Sequence, residues 1–228
     1  MLLAPSAKYT FDGVEHQISP TEKFLGEIPT LTPEKIIFLT RLKRVVQHFV
    51  TVCEEHNITY YLSCGSLLGA VKVNGILIWD NDADVCVPLS EVPKLKAAFR
   101  NTKKPFKFLP FLYGYKLCVD TILGYPFLDI MIVAPDPYYL REYGETHYAF
   151  CYPLFFGKPT FALRRSFPRK HHPESMIFPL QQITFEGMSV WAPRDPLAFC
   201  VQNYGAECLT TSFVKPNPKR WLTALLRI

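Results

Sequence analysis

Three aspartates at alternate positions, Asp80, Asp82 and Asp84, close the stretch GSLLGAVKVNGILIWDNDAD, which a glycine–serine bend opens at Gly65 and Ser66. An extended backbone sends successive side chains to opposite faces, so all three carboxylates project from one side of a strand. Like charges at that spacing repel each other unless a cation sits among them. Hard oxygen donors of this kind suit Mg²⁺ or Mn²⁺, ions that usually also hold substrate phosphates. The chain is therefore constrained to set a carboxylate-bearing strand beside the bend, whose small residues let backbone amides approach an anion. Metal-dependent phosphotransfer is the simplest chemistry for such a pair.

The flanking pattern supplies the elements. Thr32 offers an N-cap, Pro33 a favoured first helical position and Glu34 a first-turn acid. Ile36, Leu39, Leu42, Val46, Phe49 and Cys53 then keep the spacing of a buried helix face, which predicts a helix ending near His56-Asn57. A short strand over Ile58–Ser63 leads into the bend, a short helix over Leu67–Val73 follows, and Asn74-Gly75 is a turn. The acidic strand centres on Asp82–Val87, with Asp82, Asp84 and Cys86 on one face and Ala83, Val85 and Val87 on the other. A helix over Ser90–Arg100 and strands at Phe106–Leu109, Tyr113–Val119 and Phe127–Val133 come next. The region from Pro135 to Pro179 reads as long loops rich in proline and aromatic residues. Ile183–Phe185 and Ser189–Trp191 flank a turn at Glu186-Gly187, and Asp195 caps a last helix ending before Gly205. The order implies an α+β fold, a mixed sheet flanked by helices.

Asp129 stands alone as a charge within the apolar run PFLDIMIV. A carboxylate there is costly without a partner, so it is the best candidate for a third acidic element of the same site. Lys116, in another apolar strand, either reaches a donor phosphate or snorkels from a sheet edge. Arg164, Arg165, Lys170 and His171 lie in a loop able to fold over a donor, although surface charge is the simpler reading. The tyrosines Tyr138, Tyr139, Tyr143, Tyr148 and Tyr152 suit a sugar groove or loop packing equally.

Other metals fit poorly. Asp80, Asp82, Asp84 and Glu91 match four positions of a calcium loop, but Val85 occupies the sixth, where the sharp turn needs glycine. His147 with Cys151, and His171 with His172, provide no local set of four zinc ligands. The seven cysteines are an odd number without a CxxC pair, so neither a disulfide framework nor a zinc ribbon is expected. The formal charge of +5 is modest, and only the tail KPNPKRWLTALLRI hints at nucleic acid or a membrane surface. Nucleic-acid binding is not expected. At 228 residues, three segments are expected: a leader over residues 1–31, a catalytic domain over 32–210 and a basic tail over 211–228. No signal peptide or membrane span is legible, so a soluble, cytoplasmic protein is expected.

GSLLGAVKVNGILIWDNDADVCV also resembles the signature of the LicD/fukutin family, whose usual form is G-[ST]-LLGA-x-R, a spacer, then WDDDxD and a hydrophobic residue. FLDIMIV is similar to that family's second acidic strand, and FPLQQITFEGMSVWAPRDPLAFCVQNYG to its closing segment, so the resemblance runs from about Pro33 to Gly205. It implies a nucleotidyltransferase-like fold and transfer of a phosphorylated small alcohol, such as phosphocholine or ribitol phosphate, from a CDP-activated donor to a glycan hydroxyl. It further implies that Asp82, Asp84 and Asp129 hold metal, with Asp80 close by, and that Gly65 and Ser66 form the donor-phosphate turn. Asn81 replaces the middle aspartate of the signature, on the opposite strand face. Lys72 replaces its arginine, keeping a charge for phosphate but losing the bidentate fork. Two alternatives stay open: attachment of a nucleoside monophosphate to a small molecule or protein, and a catalytically silent binding protein on the same fold.

Overall fold

The computed structural model of the chain describes residues 8–19, 21–25, 31–111, 114–119, 124–152, 160–161, 164 and 167–213. Its centre is a seven-stranded mixed sheet. The strands nearest the predicted site are β4 (Tyr61–Leu62), β5 (Ala83–Pro88), β6 (Phe106–Phe111), β7 (Gly114–Val119) and β8 (Phe127–Pro135). β8 runs parallel to β5 and antiparallel to β7, and β5 is antiparallel to β4. Asp129 is the register partner of both Asp84 on β5 and Lys116 on β7, so β5 and β7 lie on opposite edges of β8.

α1 (Pro33–Glu55) begins as expected, with the Thr32 hydroxyl accepting from the Lys35 amide. It buries Leu39, Leu42, Val45, Val46 and Phe49 and packs against β7, β8 and α3 (Val92–Phe99). α2 (Cys64–Val73) packs against β5 and α6 (Pro196–Tyr204), which Asp195 caps. The predicted bend proves to be the first turn of α2, with Cys64 in the left-handed region at φ 45°. Gly69 serves close packing: a Cβ there would lie 2.3 Å from the Gly75 carbonyl oxygen.

The described residues between Pro135 and Pro179 hold more regular structure than the region's composition predicts. They contain α4 (Pro137–Tyr143), β9 (His147–Phe150), β10 (His171–Pro173) and α5 (Glu174–Ile177). β9 joins the last third of β8, on the edge that β7 also uses, and β10 joins β9. Of the α4 tyrosines Tyr139 is buried and stacks on His171 at 3.9 Å, while the exposed Tyr143 stacks on His147 at 5.0 Å. Within this packing His147 Nδ1 faces His171 Nδ1 at 2.9 Å and His172 bonds Asn203.

Parts of the predicted leader and tail are built into the fold. β1 (Lys8–Phe11) and β2 (Val14–Gln17) form a hairpin, and β3 (Lys23–Leu25) pairs in parallel with β13 (Thr211–Phe213). The basic residues Lys215, Lys219 and Arg220 and the rest of the tail, like Arg165, lie outside the described residues. Among the described residues no helix is long and apolar enough to cross a membrane.

α6 fastens β10 to the body of the protein. His172 is buried, stacks on Phe199 at 3.5 Å and donates from Nε2 to Asn203 Oδ1 at 3.1 Å, while the Gln202 amide reaches the His171 carbonyl. Burial, helped by the nearby Lys170 charge, lowers His172 from the ordinary 6.5 to about 3. The unfolded chain therefore takes up this proton first. The stability His172 contributes is complete above pH 6.5 and is lost as pH falls toward about 3, with a slope on the order of 1 kcal/mol per pH unit. His172→Gln keeps a donor for Asn203 without a titrating ring. The variant should trail the parent in urea midpoint at pH 7.5, and that gap should narrow at pH 5; an unchanged gap at the two pH values would refute the assignment.

Candidate active site

The order of strands β7–β8–β5–β4 sets the order of charges. Registered partners share a face of the sheet, so Lys116, Asp129 and Asp84 stand side by side across three strands. Their sequence neighbours Leu128, Ile130, Ala83 and Val85 are buried on the opposite face. Beyond Asp84 the row continues to the start of α2, where the Gly65 amide donates to Asp84 Oδ2 at 3.2 Å. Gly65 is required for space: a Cβ there would sit 2.3 Å from Asp80 Oδ2 and 3.5 Å from Asp84 Oδ2. Asp80 thus folds over the bend, and Asp82 completes a group of four carboxylates.

Their mutual repulsion is written into their titration. Burial, then Asp80 and Asp129, push Asp82 up to about 7. Burial and the same neighbours, with Asp82 foremost, raise Asp84 well above the usual carboxylate range, against the pull of Lys170. Burial raises Asp129 too, opposed by Lys116, whose Nζ lies 2.6 Å from Asp129 Oδ1. Lys116 also lies 3.4 Å from the Phe127 ring centroid and 4.1 Å from that of Phe111. It is therefore seated within the site and does not snorkel from an edge. Lys35 donates to the Asp80 carbonyl at 2.6 Å, and burial lowers it to about 8.

Two of the predicted phosphate-binding residues are engaged elsewhere. Ser66 is buried, and its hydroxyl oxygen accepts from the Asp84 amide at 2.8 Å, tying α2 to β5. Lys72 points away from the carboxylates. Its ammonium pairs with Glu22 and donates to the Cys208 carbonyl at 2.9 Å and to Ser212 Oγ at 3.1 Å. Lys72 was expected to keep a charge for phosphate because it stands where the resemblance has an arginine. The helix instead presents its C-terminal end, and Lys72 with it, to β3 and β13.

Two contributors carry no local signal, and a third has surface charge as its simpler reading. Glu186 Oε1 accepts from the Ile76 amide at 2.6 Å, and its Oε2 lies 3.5 Å from His16 Nε2. His16 Nδ1 meets the Val73 carbonyl at 3.0 Å, and Glu186, with that carbonyl, holds the imidazole above its ordinary value against the cost of burial. Together they grip the Asn74-Gly75 turn, from which the segment carrying Asp80 and Asp82 departs. Glu186 lies in the predicted turn between β11 (Gln181–Phe185) and β12 (Met188–Ala192), but nothing in that turn's sequence points to Gly75. The third is Lys170, whose Nζ lies 3.4 Å from Cys64 Sγ and 4.4 Å from the Tyr204 ring centroid. Its loop neighbour Arg164 is committed to Asp136, at 2.5 and 2.6 Å.

Four carboxylates are the donor chemistry that a hard divalent cation takes, and their repulsion is what such a cation relieves. The side chains converge without closing on one point: among the described residues no group of three or more His, Cys, Asp or Glu is arranged to hold a metal ion. Lys116 stands against Asp129 as a cation already in contact with the row.

Known proteins share parts of this chain. An uncharacterized protein of Rickettsia prowazekii (strain Madrid E), RP689, is 23% identical over 174 residues, covering 76% of this chain and 56% of that protein. The lipopolysaccharide cholinephosphotransferase LicD of Haemophilus influenzae is 34% identical over 56 residues, 25% of this chain and 20% of that enzyme. The chain spans about half the length, or less, of the curated relatives it matches. Among solved structures, the lincomycin-bound lincosamide adenylyltransferase LnuA overlaps at a TM-score of 0.42 and 10% identity, covering 73% of this chain and 95% of that one. ANT(2")-Ia in complex with adenylyl-2"-tobramycin overlaps at 0.38 and 13%, covering 66% and 69%. Overlaps this loose say nothing about chemistry. Asp129 and Lys170 lie beyond the segment that a family model matches, which is shorter than the Pro33–Gly205 span read from the motifs. Within that segment the resemblance holds: residues 57–120 match the model described as LicD/FKTN/FKRP, nucleotidyltransferase domain.

Proposed function

We propose that the protein is a metal-dependent phosphotransferase that moves a phosphorylated small alcohol, such as phosphocholine or ribitol phosphate, from a CDP-activated donor to a glycan hydroxyl. The observation that carries this reading is the registered pair Asp84–Asp129, flanked by Asp80 and Asp82 and set beside Gly65. Asp80, Asp82, Asp84 and Asp129 would hold Mg²⁺ or Mn²⁺. Such an ion neutralises phosphate charge and lowers the cost of charge developing on the attacking and leaving oxygens.

The chain's own residues do the rest by position and charge. The acceptor hydroxyl oxygen attacks the phosphorus that bears the alcohol, and the bond from that phosphorus to the bridging oxygen breaks, releasing CMP. The hydroxyl proton passes to the Asp129 carboxylate, a stronger base than an exposed aspartate because of its burial. Lys116 keeps Asp129 ionised before transfer. Gly65 leaves room for the Asp80 carboxylate beside Asp84, room that any larger residue would close.

Incubation with CDP-choline, CDP-ribitol or CDP-glycerol, Mn²⁺ and a glycan acceptor tests the reading. CMP release from one donor, stopped by EDTA, is the expected result. Pyrophosphate release from a nucleoside triphosphate would assign nucleotidyl transfer instead. Neither product, together with no Mn²⁺ binding by calorimetry, would leave a silent binding protein.

A further inference from the structure

We propose that Lys170 binds the donor's diphosphate at the end of the carboxylate row opposite Lys116, where the departing nucleotide phosphate lies. The assignment rests on the phosphotransfer reading above and adds the residue that receives the leaving group.

The partners of the nearby lysines single it out. Lys35 is spent on the Asp80 carbonyl, Lys72 on Glu22 and its neighbours, and Lys116 on Asp129. Among the described residues no carboxylate pairs with Lys170. Its ammonium touches a thiol sulfur and an aromatic face, neither of which carries a charge. Burial and Asp84 push the Cys64 thiol up to about 11, so the sulfur is no thiolate counter-ion. An ammonium has three donors, and a sulfur at 3.4 Å is a weak acceptor for one of them. The remainder are available to an anion.

Position points the same way. The strand order places Lys116 and Asp129 at one end of the row, then Asp84, then the start of α2 with Lys170 against Cys64. In-line transfer sets the attacking and leaving oxygens on opposite sides of phosphorus. With Asp129 receiving the acceptor's proton at one end, the leaving oxygen falls toward the other. Lys170 is fixed there by ordered elements: β10 follows it directly, α6 grips β10 through Gln202 and Asn203, and Tyr204 of α6 lies beneath the ammonium.

Calorimetry of the full chain with inorganic pyrophosphate and Mn²⁺ at pH 7.5 tests the assignment apart from turnover. Lys170→Met, which keeps the stem over Tyr204, should weaken binding at least tenfold, and Lys170→Arg should stay within about threefold of the parent. Lys170→Gln gives the same comparison if the methionine variant does not fold. A charge-removing variant that binds pyrophosphate like the parent, or a parent that binds none, overturns the role of Lys170. If the parent binds, Lys170→Met does not, and no CDP-alcohol releases CMP, then the donor reading fails while Lys170 keeps its anion.

Discussion

Asp84→Asn is expected to lower CMP release by about a thousandfold or more and, in the same protein without metal, to raise the melting temperature. The two effects share one cause. Asp84 is a carboxylate forced up by burial and by Asp82, Asp80 and Asp129. An amide of the same shape still accepts from the Gly65 amide but removes one of four crowded charges. A raised folded-state value means that the folded protein binds protons more tightly than the unfolded chain. The relative stability this group allows is present below its unfolded value of 3.8 and is lost as pH rises through the raised folded value. The asparagine variant should therefore be more stable than the parent at pH 8 in EDTA. Its advantage should vanish near pH 4. Adding Mn²⁺ should reverse the ranking, because an ion that binds only the folded parent stabilises it by mass action. Thermal melts at the two pH values, with and without Mn²⁺, measure this. An Asp84→Asn protein less stable than the parent at pH 8 in EDTA would show that the carboxylates do not repel, and the cation site would lose its physical basis.

What the sequence made legible was local or periodic. Thr32 and Asp195 announced helix starts because a cap is a contact between residues three apart. The alternation of Asp84 and Cys86 against Ala83, Val85 and Val87 fixed a strand face, although β5 begins only at Ala83 and leaves the expected strand positions Asp80 and Asp82 in the segment before it. The lone charge of Asp129 in an apolar strand demanded a neighbour. The structure sets Lys116 against that charge and registers Asp84 beside it on the adjacent strand. The failures are pairings between distant segments. β9 and β10 join His147 to Pro173 across a proline-rich interval, and proline frequency gave no hint of the ladder. Lys170 reaches Cys64 across 106 residues of sequence, with a charge indistinguishable there from those of its surface neighbours. His16 and Glu186 meet at Gly75 from opposite ends of the chain, and neither belongs to a pattern that would bring it there.

Lys72 shows how such a distant partner changes a residue's meaning, and it supports the second large effect. Lys72→Met is expected to destabilise the protein by ~3–5 kcal/mol while leaving the donor KM of the folded fraction unchanged. The Lys72 and Glu22 side chains are only 7% and 2% exposed, and Glu22 lies 50 residues upstream. Removing the ammonium leaves the buried Glu22 carboxylate without its cation and, among the described residues, with the hydrogen bond from Ser212 Oγ at 2.7 Å. It also strands the Cys208 carbonyl that Lys72 satisfies. Those losses fall on β3, β13 and the turn after α6, not on the carboxylate row. Lys72→Met with Glu22→Gln should recover part of the loss, because the second change neutralises the charge left behind. Urea denaturation of the two variants, with donor KM measured below the transition, separates the roles. A phosphate ligand would raise KM and spare stability, whereas an internal strut lowers stability and spares KM. The closed shell of oxygens around Lys72, set against the sulfur and ring around Lys170, is the reason to expect opposite outcomes from two lysines that the sequence alone would rank in reverse.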